Sequence, residues 1–175
     1  MGFCSKGLLA GWLAIPVYNE NNELVAYIGR AVNDTQAEAE GKYKIPPNFF
    51  KSLEVFNLNR VKEDKERIDK FGLIIVESFF SVFWLHQLGF KNVVALMGWS
   101  ISDVQIKKLL KVSNLLTVFL DGDKTGREAT EKIVLKLNPH AFVRVIHYPD
   151  GPKRKPTHFN KDELNKLLKL NMPSN

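Results

Sequence analysis

From residue 72 onward the sequence alternates short, unbroken apolar runs with stretches of helical period, and this alternation restricts the fold more than any other feature. Gly72-Leu73-Ile74-Ile75-Val76-Glu77 opens the series. Phe79, Val82, Phe83 and His86 then recur at helical spacing up to Gly89, which predicts a helix with His86 on its apolar face. Asn92 to Leu96, Leu115 to Leu120 and Ala141 to Tyr148 are the further strand-like runs. Between them Ser102-Asp103-Val104-Gln105 has the form of a capping box ahead of Ile106, Leu109 and Leu110, while Ala129, Ile133, Val134 and Leu137 share one helix face that ends near Pro139. A last helix is expected from Asn160, with Glu163 three residues on and Leu164, Leu167 and Leu168 turned inward. Strands that do not alternate polar with apolar residues are covered on both faces, so the expected class is α/β, a compact and mostly parallel sheet flanked by helices.

Upstream the grammar differs. Gly11 to Tyr18 and Leu24 to Ile28 are apolar runs joined by the polar turn Asn19 to Glu23, which predicts an antiparallel β-hairpin. Pro16 cannot donate to a ladder, so its strand is expected at an edge or a bulge. Asn33 to Lys51 reads as a long polar loop and Lys62 to Lys70 as a charged, solvated helix or linker. The chain is therefore expected to divide into residues 1–70, a hairpin subdomain with a basic loop, and residues 71–175, the α/β domain.

A net charge of +6 over 175 residues favours an anionic partner, such as nucleic acid or nucleotide, or serves solubility. The single cysteine, Cys4, excludes an internal disulfide framework, and without a CxxC or a close Cys/His grouping no zinc ribbon is expected within this chain. No apolar run reaches the roughly 20 residues that cross a bilayer, and no export signal is read at the start, so a cytoplasmic protein without a membrane partner is expected.

In a parallel sheet, ligands bind outside the carboxyl ends of the strands. Acidic residues stand at those ends: Glu77 closes the first run, Asp121-Gly122-Asp123 follows the third, and Asp150 follows the fourth. Carboxylate oxygens suit a hard divalent cation, which keeps waters and substrate phosphates as its other ligands. An aspartate pair around a glycine is alone a weak signal, because turns use these residues. Its setting gives it weight, since Thr117-Val118-Phe119-Leu120 feeds DGDKTGREA directly into a helix.

On these residues the chain resembles the Toprim domain, the metal-dependent module of DnaG-type primases, type IA and type II topoisomerases and several nucleases. Glu77 stands where that family has a strand-ending glutamate, and Asp121 with Asp123 where it has DxD. GWLAIPVYNENNELVAYIGRAV is similar to the hairpin, ending in Gly-Arg, that precedes Toprim in primases; Lys42-Tyr43 and FKSLEVFNLNRV also resemble primase segments. The likeness runs over about residues 7 to 150, as in a catalytic-core fragment or a reduced relative from a mobile element.

The resemblance implies a DNA primase catalytic core that extends RNA on single-stranded DNA by nucleotidyl transfer, with Mg²⁺ or Mn²⁺ held by Asp121, Asp123 and Glu77. Glu77 would serve as a ligand or as a general acid or base. Arg30, Lys42 and Lys51 would form a basic surface for template or nucleoside triphosphate, and Lys124 and Arg127 are near enough to the aspartates to touch phosphate. A replicative helicase is a further partner class. The rival readings are a Toprim nuclease and a catalytically silent nucleic-acid-binding module. Two places depart from the primase pattern. Ser78 and Ser81 replace a glycine and an aspartate, which lowers the expected metal affinity. Asp150 is followed by Lys153, Arg154 and Lys155 instead of acidic residues, and this basic run could hold a phosphate backbone. Trp99, in the loop after the second run, is the aromatic placed to stack a base.

Overall fold

A computed structural model describes residues 1–148 and 154–168. These form two compact units, Met1–Phe50 and Lys51–Asn175, so the segment 51–70 packs with the α/β unit.

The first unit is an antiparallel sheet in the order β1-β2-β3-β4, made of β1 (Gly2–Phe3), β2 (Leu13–Tyr18), β3 (Leu24–Arg30) and β4 (Tyr43–Lys44). Strands β2 and β3 are the expected hairpin. Pro16 is tolerated because β1 pairs only with Leu13 and Ala14, leaving that side of Pro16 outside the ladder. Gly29 is required by space: a Cβ there would lie 2.9 Å from Leu9 and 3.1 Å from Trp12, which is fully buried over β3. The polar stretch after Val32 is not all loop. Helix α1 (Asp34–Glu40) starts there, because the Asn33 side chain accepts from the Gln36 amide at 2.8 Å and Gln36 in turn accepts from the Val32 amide at 3.0 Å.

The second unit begins with α2 (Leu58–Val61) and α3 (Lys65–Phe71), then continues with β5 (Leu73–Val76), α4 (Phe79–Gln87), β6 (Val93–Ala95), α5 (Asp103–Leu110), β7 (Leu115–Val118), α6 (Lys124–Leu137), β8 (Phe142–Val145) and α7 (Lys161–Leu168). Its sheet has the order β6-β5-β7-β8 with every neighbouring pair parallel, as the unbroken apolar runs require. The capping boxes at Ser102/Gln105 and Asn160/Glu163 both form, each with its reciprocal pair of hydrogen bonds.

Leu73 and Ile75 of β5, with Val94, Leu96, Leu116, Val118 and Leu120, join Leu58, Ile68, Leu109, Ile133 and Leu137 in one cluster. Each such burial contributes about 1.5–3 kcal/mol against the chain entropy it opposes. Ile74 and Val76 point the other way and are equally buried, as are Phe79, Val82 and Leu85 of α4. Crossovers β5-α4-β6 and β7-α6-β8 leave the centre in opposite directions, and right-handed connection then sets α4 and α6 on opposite faces. The buried stripe of α4 includes Ser81 and Leu85, one position away from the expected stripe, so His86 is exposed rather than packed. Among the described residues no helix is long and apolar enough to cross a membrane.

Candidate catalytic centre at the sheet switch point

Chain direction across the sheet reverses between β5 and β7, since one half winds outward to β6 and the other to β8. Two neighbouring parallel strands whose connections part in this way leave a crevice at their carboxyl ends, the usual ligand site of open α/β sheets. Glu77 directly follows β5, and Asp121 and Asp123 follow β7. The sequence residues expected to act together are thus brought to one edge of one sheet.

The turn that carries the aspartates is fixed by backbone packing. The Gly122 amide donates to the Arg154 carbonyl at 2.8 Å, and a Cβ on Gly122 would meet the Tyr148 ring at 2.9 Å and that carbonyl at 3.0 Å. Glycine is needed here for close approach, not for an unusual φ. Gly126, in the first turn of α6, is a residue that sequence reasoning missed. A side chain there would collide with the Asp121 carbonyl. Asp123 caps α6, its Oδ1 accepting from the Gly126 amide at 2.8 Å.

Asp121 is almost buried, and its Oδ2 lies 2.6 Å from the Lys155 ammonium. That hydrogen bond leads the causes that raise the Lys155 pKa, and the charges of Asp121, Glu77 and Asp123 add to it against the opposing effect of burial. The Tyr148 hydroxyl donates to the Leu120 carbonyl, and its pKa is raised far above the phenol range, by burial first and then by the same three carboxylates. Both groups register the three acids together, which marks one region of concentrated negative charge. Even so, among the described residues no three His, Cys, Asp or Glu side chains are gathered closely enough to form a metal cluster. Carboxylate oxygens suit a hard divalent cation in chemistry, and Asp121 is already paired with a cation of the chain itself.

The basic residues separate into different roles. Lys51, in a 3-10 turn at Lys51–Leu53, brings its ammonium beside Gly98 in the loop after β6, at the same carboxyl edge. Lys124 is exposed, 3.9 Å from Glu128. Arg127 donates to the Gly122 carbonyl at 2.8 Å, so part of its guanidinium braces the aspartate turn. Arg30 donates to the Lys42 carbonyl at 3.1 Å and stacks 5.2 Å from the centre of the Tyr43 ring, both within the first unit, where Lys42 is exposed. Arg154 pairs with Glu163 at 3.3 Å and lies over Phe159. The run expected to hold a phosphate backbone is therefore engaged internally at Arg154 and Lys155; Lys153 and Asp150 lie outside the described residues.

Ser81 does not face the carboxylates as an open ligand position. It is 1% exposed, and its hydroxyl is 3.0 Å from that of Ser78, the N-cap of α4. Trp99 is 64% exposed and borders a groove of about 420 Å³ that Thr125, Glu128, Lys132 and Lys136 also line. Lys132 was missed in the sequence because a helix lysine carries no local signal.

A family model described as Toprim-like matches residues 74–155. The chain is 32% identical over 143 residues to a DNA primase of Staphylococcus aureus (strain COL), a match covering 79% of this chain and 23% of that protein. It is 28% identical over 149 residues to a DNA primase of Synechocystis sp., with 79% and 22% covered. The chain thus spans about a quarter of the length of these curated relatives. Among solved structures, the zinc-binding and RNA polymerase domains of the Aquifex aeolicus primase superpose with a TM-score of 0.81 at 26% identity, over 94% of this chain and 41% of that one. The DnaG primase catalytic domain bound to ssDNA shares the fold, with a TM-score of 0.72 at 23% identity over 93% and 51%. Residues 74–155 are therefore a Toprim-like domain, carried by a chain that resembles the catalytic core of bacterial DnaG-type primases.

Proposed function

We propose that this chain is the core of a primase that joins nucleotides into RNA on a single-stranded DNA template, with Asp121, Asp123 and Glu77 as its catalytic carboxylates. The observation that supports this reading is that Glu77 follows β5 and Asp121 and Asp123 follow β7, the two strands that flank the switch point, inside the Toprim-like match. Asp121 and Asp123 would hold Mg²⁺ or Mn²⁺, Asp123 doing so with one oxygen while the other caps α6. When bound, such an ion activates the attacking 3′ hydroxyl and offsets charge on the triphosphate. Glu77 would serve as a further ligand or as the group that takes the proton. Lys51 and Lys124 would neutralise triphosphate oxygens, and Arg127 contributes the face of its guanidinium left beside the turn. Arg30 and Lys42 would hold template phosphates from the first unit, and Trp99 offers a ring on which a base can stack above the Lys132 groove.

A silent nucleic-acid-binding module is the second reading, and the Lys155–Asp121 ion pair is what favours it. One incubation separates these readings from a nuclease: the chain with single-stranded DNA, nucleoside triphosphates and Mg²⁺ or Mn²⁺. Short RNA products are expected. Cut DNA without RNA would assign a nuclease, and binding with neither product a silent module.

A further inference from the structure

Arg154 and Lys155 bring a cation to Asp121 and are fastened there by several contacts. The Arg154 carbonyl accepts from the Gly122 amide at 2.8 Å, inside the aspartate turn itself. Arg154 is held in turn by Glu163 at 3.3 Å and by the ring of the fully buried Phe159, 4.2 Å from the guanidinium carbon to the ring centre. The next residue is Lys155, whose ammonium reaches Asp121 at 2.6 Å. Asp121's side chain is 11% exposed and that of Lys155 44%, so the carboxylate is enclosed while the lysine retains a path to solvent.

A carboxylate oxygen in contact with an ammonium cannot also bind a divalent ion without crowding two cations together. From this geometry we infer that Lys155 is a tethered counter-cation of the site, and that a divalent ion reaches Asp121 only by displacing it. The inference rests on the reading of Asp121 and Asp123 as metal ligands. Its consequence is a built-in threshold: Lys155 offsets the charge of Asp121 without metal, and metal affinity is set by how readily the ion pair opens. The longer, solvent-exposed reach of Lys155 allows that opening without unfolding the turn, which Gly122 and Gly126 lock independently of the lysine.

The test is a Mn²⁺ titration of the full chain, read by the electron paramagnetic resonance signal of free Mn²⁺, for the wild type, Lys155→Met, Lys155→Arg and Asp121→Asn with Asp123→Asn. Removing the lysine charge should tighten Mn²⁺ binding about tenfold, while Lys155→Arg, which keeps a cation, should remain within about twofold of wild type. The wild type supplies a second readout that needs no mutant. Acetic anhydride labelling of Lys155, mapped by mass spectrometry, should rise several-fold with Mn²⁺, and labelling of Lys124, 88% exposed, should not change. If Lys155→Met binds as wild type does while the double aspartate variant loses Mn²⁺, or if Lys155 labelling ignores Mn²⁺ that binds, the metal site stands and the role of Lys155 is overturned. Mn²⁺ binding that the double aspartate variant retains in full would instead overturn the metal-site reading on which the inference rests.

Discussion

The two units hold their charged residues by different means. In the second, Glu77, Asp121 and Asp123 follow directly from where parallel strands end, and the turn that carries the aspartates is locked by backbone contacts at Gly122 and Gly126. In the first, Arg30 ends β3 and Lys42 directly precedes β4, Leu9 and Trp12 pack closely over Gly29, and Arg30 is tied to its own neighbourhood through the Lys42 carbonyl. Topology dictates location in one unit; local packing does so in the other. Changes at the carboxylates should therefore act on chemistry, and changes at the basic residues should act on affinity for a polyanion.

The largest expected effect is on that chemistry. Asp121→Asn with Asp123→Asn should abolish any Mg²⁺-dependent reaction yet leave DNA binding in metal-free buffer unchanged or stronger, because asparagine still caps α6 and two negative charges are gone. Equal loss of binding and reaction, measured side by side, would erase the distinction between the units. Next in size are two glycine substitutions. Gly126→Ala forces a Cβ into the Asp121 carbonyl and should cost about 3 kcal/mol in urea unfolding. Gly11→Ala, at a φ of 81° with open space around it, should cost about 1 kcal/mol. Similar costs would mean that the aspartate turn is no more tightly held than a surface turn.

Ser81→Asp sharpens the same contrast. The missing family aspartate suggests that restoring it would strengthen a metal site, but Ser81 is buried against Ser78. A carboxylate there should destabilise the second unit by about 2–4 kcal/mol and leave Mn²⁺ affinity no higher. Tighter Mn²⁺ binding by a fully folded Ser81→Asp chain would show that α4 presents this position to the site. The smallest effects belong to the basic residues: Arg30→Ala with Lys42→Ala should reduce the log–log salt slope of single-stranded DNA binding by about 0.7 for each phosphate that the variant no longer neutralises. Lys51→Ala alone should remove one such step, and an unchanged slope in either variant assigns the polyanion to other residues.

Much of this is legible in the residues themselves. Unbroken runs such as Leu73-Ile74-Ile75-Val76 specify a sheet covered on both faces, and its parallel strands then send their functional groups to one edge. Side chains that owe their place to distant partners are not legible. Lys155 reads as one of several basic residues, because nothing local announces the Gly122–Arg154 hydrogen bond that delivers it to Asp121. Gly126 resembles an ordinary helix residue for the same reason, since its constraint is the Asp121 backbone folded over it. Helix α1 does have a local signal, Asn33 three residues before Gln36, which the surrounding polar composition obscures.

The central claim is that the carboxyl edge between β5 and β7 is the divalent-cation site. Paramagnetic broadening of backbone amide resonances by substoichiometric Mn²⁺ tests it most directly, because broadening falls steeply with distance from the ion. Signals of Glu77, Ser78 and residues 121–124 should disappear first, and those of Phe71 and Gly72, at the amino end of β5, should persist. Broadening that begins elsewhere, or that is the same in the wild type and in Asp121→Asn with Asp123→Asn, would contradict the account.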